Sequence, residues 1–141
     1  MAVTQLSVFL TNKPGEFQRA LDHVAKTGAA VRAMSIAEAS AFGILRLIVT
    51  KVDEVRDSLL ADQFLVKRNR MVAVQMDDQA AALRPILSLL SEAGTNIEYM
   101  YSFTGTTALS SYVALRVKDT DAAEDTLIDH GIKVLKDEDI L

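Results

Sequence analysis

The 141-residue sequence predicts an α+β fold built from two βαββαβ repeats, residues 1–68 and 69–141. Three observations predict it. The apolar stripe Phe17, Ala20, Leu21 and Val24 returns 66 residues later as Leu83, Ile86, Leu87 and Leu90, the spacing that seats a helix on a sheet. Each stripe stops at a glycine, Gly28 or Gly94, the residue that closes a helix in the left-handed conformation without steric cost. The alternating run Leu45, Leu47, Val49 returns as Val113, Leu115, Val117, now shifted by 68 because the second copy has a longer turn. Alternation of this kind places one face of a strand against a core.

The elements follow in order. Leu6–Leu10 opens the first repeat as a strand, and Asn12-Lys13-Pro14-Gly15 turns the chain into the first helix. Strands Ala30–Ile36 and Ile44–Val49 come next, then a helix beginning near Val52-Asp53 and a closing strand Phe64–Val66. The second repeat gives Val72–Met76, the helix ending at Gly94, strands Asn96–Ser102 and Tyr112–Val117, a helix from Thr120-Asp121, and Ile132–Leu135. Asp53 and Asp121 fall in register at helix starts, where a carboxylate complements the helix dipole. Two βαβ crossovers in four strands give a ferredoxin-like antiparallel sheet with both helices on one face. The opposite face carries Phe9, Ile44 and Ile48, too apolar for water, so either the other repeat or a second chain should cover it; a homodimer is the favoured expectation.

Composition narrows the function. Half the residues are hydrophobic, enough for a core without staples. Cysteine is absent, which removes disulfides, thiol nucleophiles and cysteine metal sites. The formal charge of −4 and pI near 5.1 argue against nucleic acid, which needs clustered Lys and Arg. Lys67, Arg68 and Arg70 read as a solvated connector between repeats, and Lys136-Asp137-Glu138-Asp139 as a solvated tail. No signal-like start and no apolar run long enough to cross a membrane appear, so a cytoplasmic protein is expected.

Catalytic signatures are missing. His23 and His130 stand without an acid or second His at ligand spacing, so no metal site is expected; His23 reads as a helix-flank residue and His130 as a helix-end residue. Asp77-Asp78 reads as a capping pair. No nucleophile elbow, P-loop or dinucleotide fingerprint is present, and no cofactor is expected. The chain reads as non-catalytic.

The stretch Leu10-Thr11-Asn12-Lys13-Pro14-Gly15-Glu16-Phe17, together with Gly28 and the repeated strand order, resembles the ACT domain, a regulatory module that senses amino acids. The stretches Ser35-Ile36-Ala37, Phe42–Leu47 and Glu98–Phe103 further resemble small stand-alone proteins made of two ACT domains. The resemblance implies a ligand site at an interface between two domains, with the Pro-Gly loop from one and an Asn at the strand start from the other. The turn's own chemistry fits. Pro14 suits a first helical turn, Gly15 lets backbone approach a ligand, and free amides at a helix mouth seat a carboxylate.

The copies differ at these places. Asp78-Gln79-Ala80-Ala81 replaces Asn12-Lys13-Pro14-Gly15, and an Asp there repels a carboxylate. Conversely Asn96 stands in the second copy where the first has Ala30. The expectation is therefore one composite site per pair of repeats, with Asn12, Lys13, Pro14, Gly15, Glu16 and Phe17 facing Asn96, Glu98, Tyr99, Met100 and Tyr101. Backbone amides from Gly15 to Phe17 would hold a carboxylate, Asn12 and Asn96 the amino or carboxyl groups. Strand alternation forbids Tyr99, Met100 and Tyr101 from all facing it. Two other roles stay open: a subunit docking on a separate biosynthetic enzyme, and a ligand-free structural dimerisation module.

Overall fold

The computed structural model describes residues 2–39, 41–76, 79–104 and 111–140. The chain forms two compact units, Thr4–Asn69 and Arg70–Leu141 with Met1–Val3. Asp77 and Asp78, and with them the expected capping pair and the start of the second turn, lie outside the described residues.

In the first unit β1 (Val3–Thr11), β2 (Val31–Ala39), β3 (Phe42–Val49) and β4 (Leu65–Met76) lie in the order β2-β3-β1-β4. Helices α1 (Glu16–Lys26) and α2 (Val52–Ala61) complete it. The pairing Leu6↔Leu47 and Val8↔Leu45 puts the alternating apolar residues of both strands on one face. There they join Ala20, Val24, Val55, Leu59 and Phe64 in one buried cluster. The other face carries Phe9↔Ile44 and Ser7↔Arg46. Ile48 and Ala33 on this face are buried, and so are Gln5 and Ser7. Burial of those two polar groups is supported by hydrogen bonds: Gln5 Nε2 donates to Ser7 Oγ at 3.0 Å, and Ser7 Oγ donates to Asn69 Oδ1 at 2.6 Å. An unpaired buried hydroxyl or amide would cost about 1–3 kcal/mol.

The second unit repeats the scheme. Strands β5 (Ile97–Thr104), β6 (Ser111–Val117) and β7 (Val134–Leu135) combine with β4 in the order β7-β4-β6-β5. Helices α3 (Gln79–Glu92) and α4 (Thr120–Asp129) cover Val72, Val74, Val113, Leu115 and Val117, contributing Ile86, Leu90, Ala123 and Leu127. The short helix α5 (Asp137–Ile140) ends the chain. The acidic tail thus forms a turn, with the Lys136 N–H donating to Asp139 Oδ2 at 3.0 Å.

Three readings are corrected. Lys67, Arg68 and Arg70 join the two units with exposed side chains, as expected of a solvated connector, but they do so within a strand and not between two strands: β4 runs unbroken through them. No Gly or Pro interrupts Leu65–Met76, and long basic side chains reach solvent from a strand as easily as from a loop. Arg68 pairs with Asp53 at 2.8 Å and Arg70 with Asp121 at 3.3 Å. Pro14 lies outside α1, because Gly15 is the N-cap at φ +87° and the helix starts at Glu16. The last strand is only Val134–Leu135, and Ile132 and Lys133 precede it.

Helix ends expose one difference between the copies. Gly131 after α4 has φ +78°, and at the matching position after α2 Gln63 takes φ +65°. A side chain there is strained where glycine is not.

Candidate functional site

The turn at the mouth of α1 is built from its backbone. The Asn12 N–H donates to the Ala41 carbonyl at 3.3 Å and the Lys13 N–H to the Thr11 carbonyl at 2.9 Å. The Glu16 N–H reaches the Lys13 carbonyl at 3.4 Å, so it is partly used within the turn. Among the described residues, the Gly15 and Phe17 N–H groups have no acceptor. Gly15 is required by its φ and not by crowding, since a Cβ there would meet nothing within 4 Å. Asn12, Lys13, Pro14 and Gly15 are all exposed. Among the described residues neither the Asn12 nor the Lys13 side chain makes a hydrogen bond or ion pair, and the Lys13 charge helps only slightly to hold the Glu16 carboxyl low.

Glu16 and Phe17 turn away from this mouth. The Glu16 carboxylate accepts from Arg19 Nε at 3.3 Å and Nη2 at 3.1 Å, and that hydrogen bond holds its carboxyl below the usual range. Phe17 packs on the first core, and its ring lies 3.2 Å from where a Cβ on Gly43 would stand. Helical phase directs both inward, which a run of adjacent residues in the sequence does not reveal.

In the second unit Asn96 is exposed just before β5, without a side-chain partner among the described residues. The β5 side chains divide between faces. Met100 stands opposite Leu115 on the helix-facing side, and Tyr101 opposite Ala114 on the other. Tyr99 shares the Tyr101 side, and its hydroxyl lies 3.9 Å from Met71 Sδ. Glu98 and Met100 are exposed, while Tyr99 and Tyr101 are half-buried. The equivalents of Tyr99 and Tyr101 in the first repeat are Ala33 and Ser35, so the larger side chains belong to the second repeat.

Elsewhere, His23 is more than a flank residue. Its Nδ1 lies 2.8 Å from Ser58 Oγ and its Nε2 2.8 Å from Asp62 Oδ2, with its ring edge-on to Phe64. The Arg19 guanidinium reaches the same Asp62 oxygen at 2.8 Å. Hydrogen bonds from His23 and then Arg19 hold the Asp62 carboxyl below its ordinary value. His130 keeps its helix-end role, its Nδ1–H donating to the Thr126 carbonyl at 2.8 Å. Among the described residues no group of acids and histidines could hold a metal ion, and no helix is long and apolar enough to cross a membrane.

One cavity escaped the sequence reading. It has a volume of about 400 Å³ and is lined by Gln75, Ala82, Pro85, Ile86, Ile132 and Lys133, all of the second unit. The signal that would have found it is the loss, in the second repeat, of the large side chains at Arg19 and Phe64.

A family model described as an ACT domain pair matches residues 1–141. Among solved structures, protein BT0572 from Bacteroides thetaiotaomicron is 33% identical with a TM-score of 0.90, over 99% of this chain and 96% of its own. The regulatory subunit of aspartate kinase from Thermus thermophilus, in ligand free form, is 15% identical with a TM-score of 0.64, over 93% and 92%. The corresponding subunit from Thermus flavus is 14% identical at 0.62, over 92% of each chain. These last two likenesses extend to the fold alone. No curated protein sequence matches this one.

Proposed function

Because the chain belongs to the ACT domain pair family, which it matches along its whole length, we propose that it is a non-catalytic regulatory protein that binds a free amino acid. The observation that carries this reading is the turn at the mouth of α1. It combines, among the described residues, an Asn12 side chain without a partner and two backbone N–H groups without acceptors, with a glycine N-cap in the left-handed region. Such a mouth suits a carboxylate, because free amides and the positive end of the helix dipole point the same way. Asn96, exposed and without a side-chain partner among the described residues, is proposed for the other polar group of the ligand. Met100 on one side of β5, or Tyr99 and Tyr101 on the other, would meet the ligand side chain, with Glu98 at the bulge that precedes Tyr99. The roles of Lys13 and Pro14 are to shape the turn.

A homodimer belongs to the same reading. Strand β2 ends the sheet of its unit and exposes Met34 at 53% and Ile36 at 57%, with Phe42 exposed on β3. A long edge strand with exposed apolar side chains is a ready template for pairing with another chain.

The test is thermal shift against the twenty amino acids. A true ligand at 100 times its dissociation constant stabilises the fold by about 2.7 kcal/mol, a shift of several degrees. A flat panel would reject the ligand assignment.

A further inference from the structure

We infer that the second unit carries a separate binding site for a small monocarboxylate with an apolar body, in the groove between α3 and the segment before β7. Comparison of the two repeats explains why a groove exists here. In the first repeat the equivalent space is filled: the Arg19 guanidinium carbon lies 4.0 Å from the Phe64 ring centroid, and Arg19 is tied to Glu16 and Asp62. In the second repeat Glu16, Arg19, Asp62 and Phe64 are replaced by Ala82, Pro85, His130 and Ile132. Each replacement that faces the groove is smaller or lacks the charged arm, and the cluster that closed the space is gone.

The remaining lining has a defined chemistry. Ala82, Pro85, Ile86 and Ile132 make an apolar floor, and Gln75 and Lys133 supply the polar groups of a cavity of about 400 Å³, within the size range of small-molecule sites. Lys133 and Gln75 are exposed, and neither side chain has a hydrogen bond or ion pair among the described residues. An uncommitted ammonium beside an apolar floor selects an anion with an apolar body. An amide at the same site adds a donor for the second carboxylate oxygen. This site uses none of the residues proposed for the amino acid and needs no α-amino group, so either can fail without the other.

The experiment is methyl NMR of the full chain titrated with butyrate, hexanoate and octanoate, with 1-hexanol and hexylamine as controls. Expected are saturable shifts at the Ile86 and Ile132 methyls, affinity rising about fourfold per added CH₂, and hexylamine silent. Lys133→Gln should weaken hexanoate about tenfold while leaving hexanol unchanged. The variant Ala82→Glu/Pro85→Arg/Ile132→Phe, which restores the first repeat's residues, should abolish binding; if it does not fold, Ala82→Leu alone should weaken hexanoate. No saturable shift with any carboxylate, equal affinity for hexanol and hexanoate, or binding undiminished in the filled variants would each overturn the proposal.

Discussion

The guanidinium of Arg19 stacks on the ring of Phe64, its carbon 4.0 Å from the ring centroid, and so joins α1 to the residue that closes α2's loop. Phe64 is 5% exposed and belongs to the first core. Phe64→Ala should therefore cost about 3–5 kcal/mol in urea denaturation. Arg19→Met, which keeps the apolar stem over the ring, should lower the melting temperature by a few degrees at most.

Asp62 gives this cluster a pH dependence with a definite sign. Its carboxyl is held below the ordinary value by His23 and Arg19, so the folded state binds fewer protons than the unfolded one. The stabilisation is present above the ordinary Asp value of about 3.9 and is lost as pH falls through the lowered folded value. Urea midpoints of the wild type and Asp62→Asn should differ at neutral pH and converge on acidification. Midpoints that stay parallel at every pH would refute the assignment.

Glu124 carries the opposite sign. It is 2% exposed, its Oε2 has no hydrogen-bond partner among the described residues, and burial raises its carboxyl. Stability from its protonated form is full below about 4.3, the unfolded value, and is lost as pH rises through the raised folded value. Glu124→Gln should be more stable than the wild type at pH 8, with the gap closing as pH falls. A gap that widens in acid would be the contrary result.

Gln63 stands at φ +65° where the second repeat has Gly131. Gln63→Gly should raise stability by about 1 kcal/mol, since the left-handed conformation costs a side chain about 1–2 kcal/mol and glycine almost nothing. Equilibrium unfolding of the single variant checks it.

At the proposed ligand site, Asn12→Ala and Asn96→Ala should each weaken the amino acid found by thermal shift by about 1–3 kcal/mol in calorimetry, with the fold unchanged. At the edge, Met34→Glu with Ile36→Glu should weaken self-association at least about tenfold in sedimentation velocity. A wild-type monomer would remove the dimer.

The parts of the fold legible in the sequence are those where burial imposes a period. Leu45, Leu47 and Val49 alternate because one side of β3 meets the core, and the α1 and α3 stripes repeat because one helix face does. What stayed hidden depends on residues far apart in the chain. His23 looks isolated until Ser58 and Asp62 come beside it, and Phe64–Val66 and Val72–Met76 look like two strands with a solvated connector between them until β4 is seen to need no breaker there. Around the proposed site, the exposed turn with its left-handed Gly15, and the exposure of Asn12 and Asn96, could be read because turns are written locally. Glu16 and Phe17 could not, because helical phase and not adjacency decides that one meets Arg19 and the other the core.

Strand β4 has a practical consequence for anyone hoping to study one repeat by itself. A cut after Arg68 or Asn69 would sever a pleated ribbon in the middle of its twelve residues. Both fragments would be left with frayed ends, and proteases that seek slack chain should leave this peptide stretch alone.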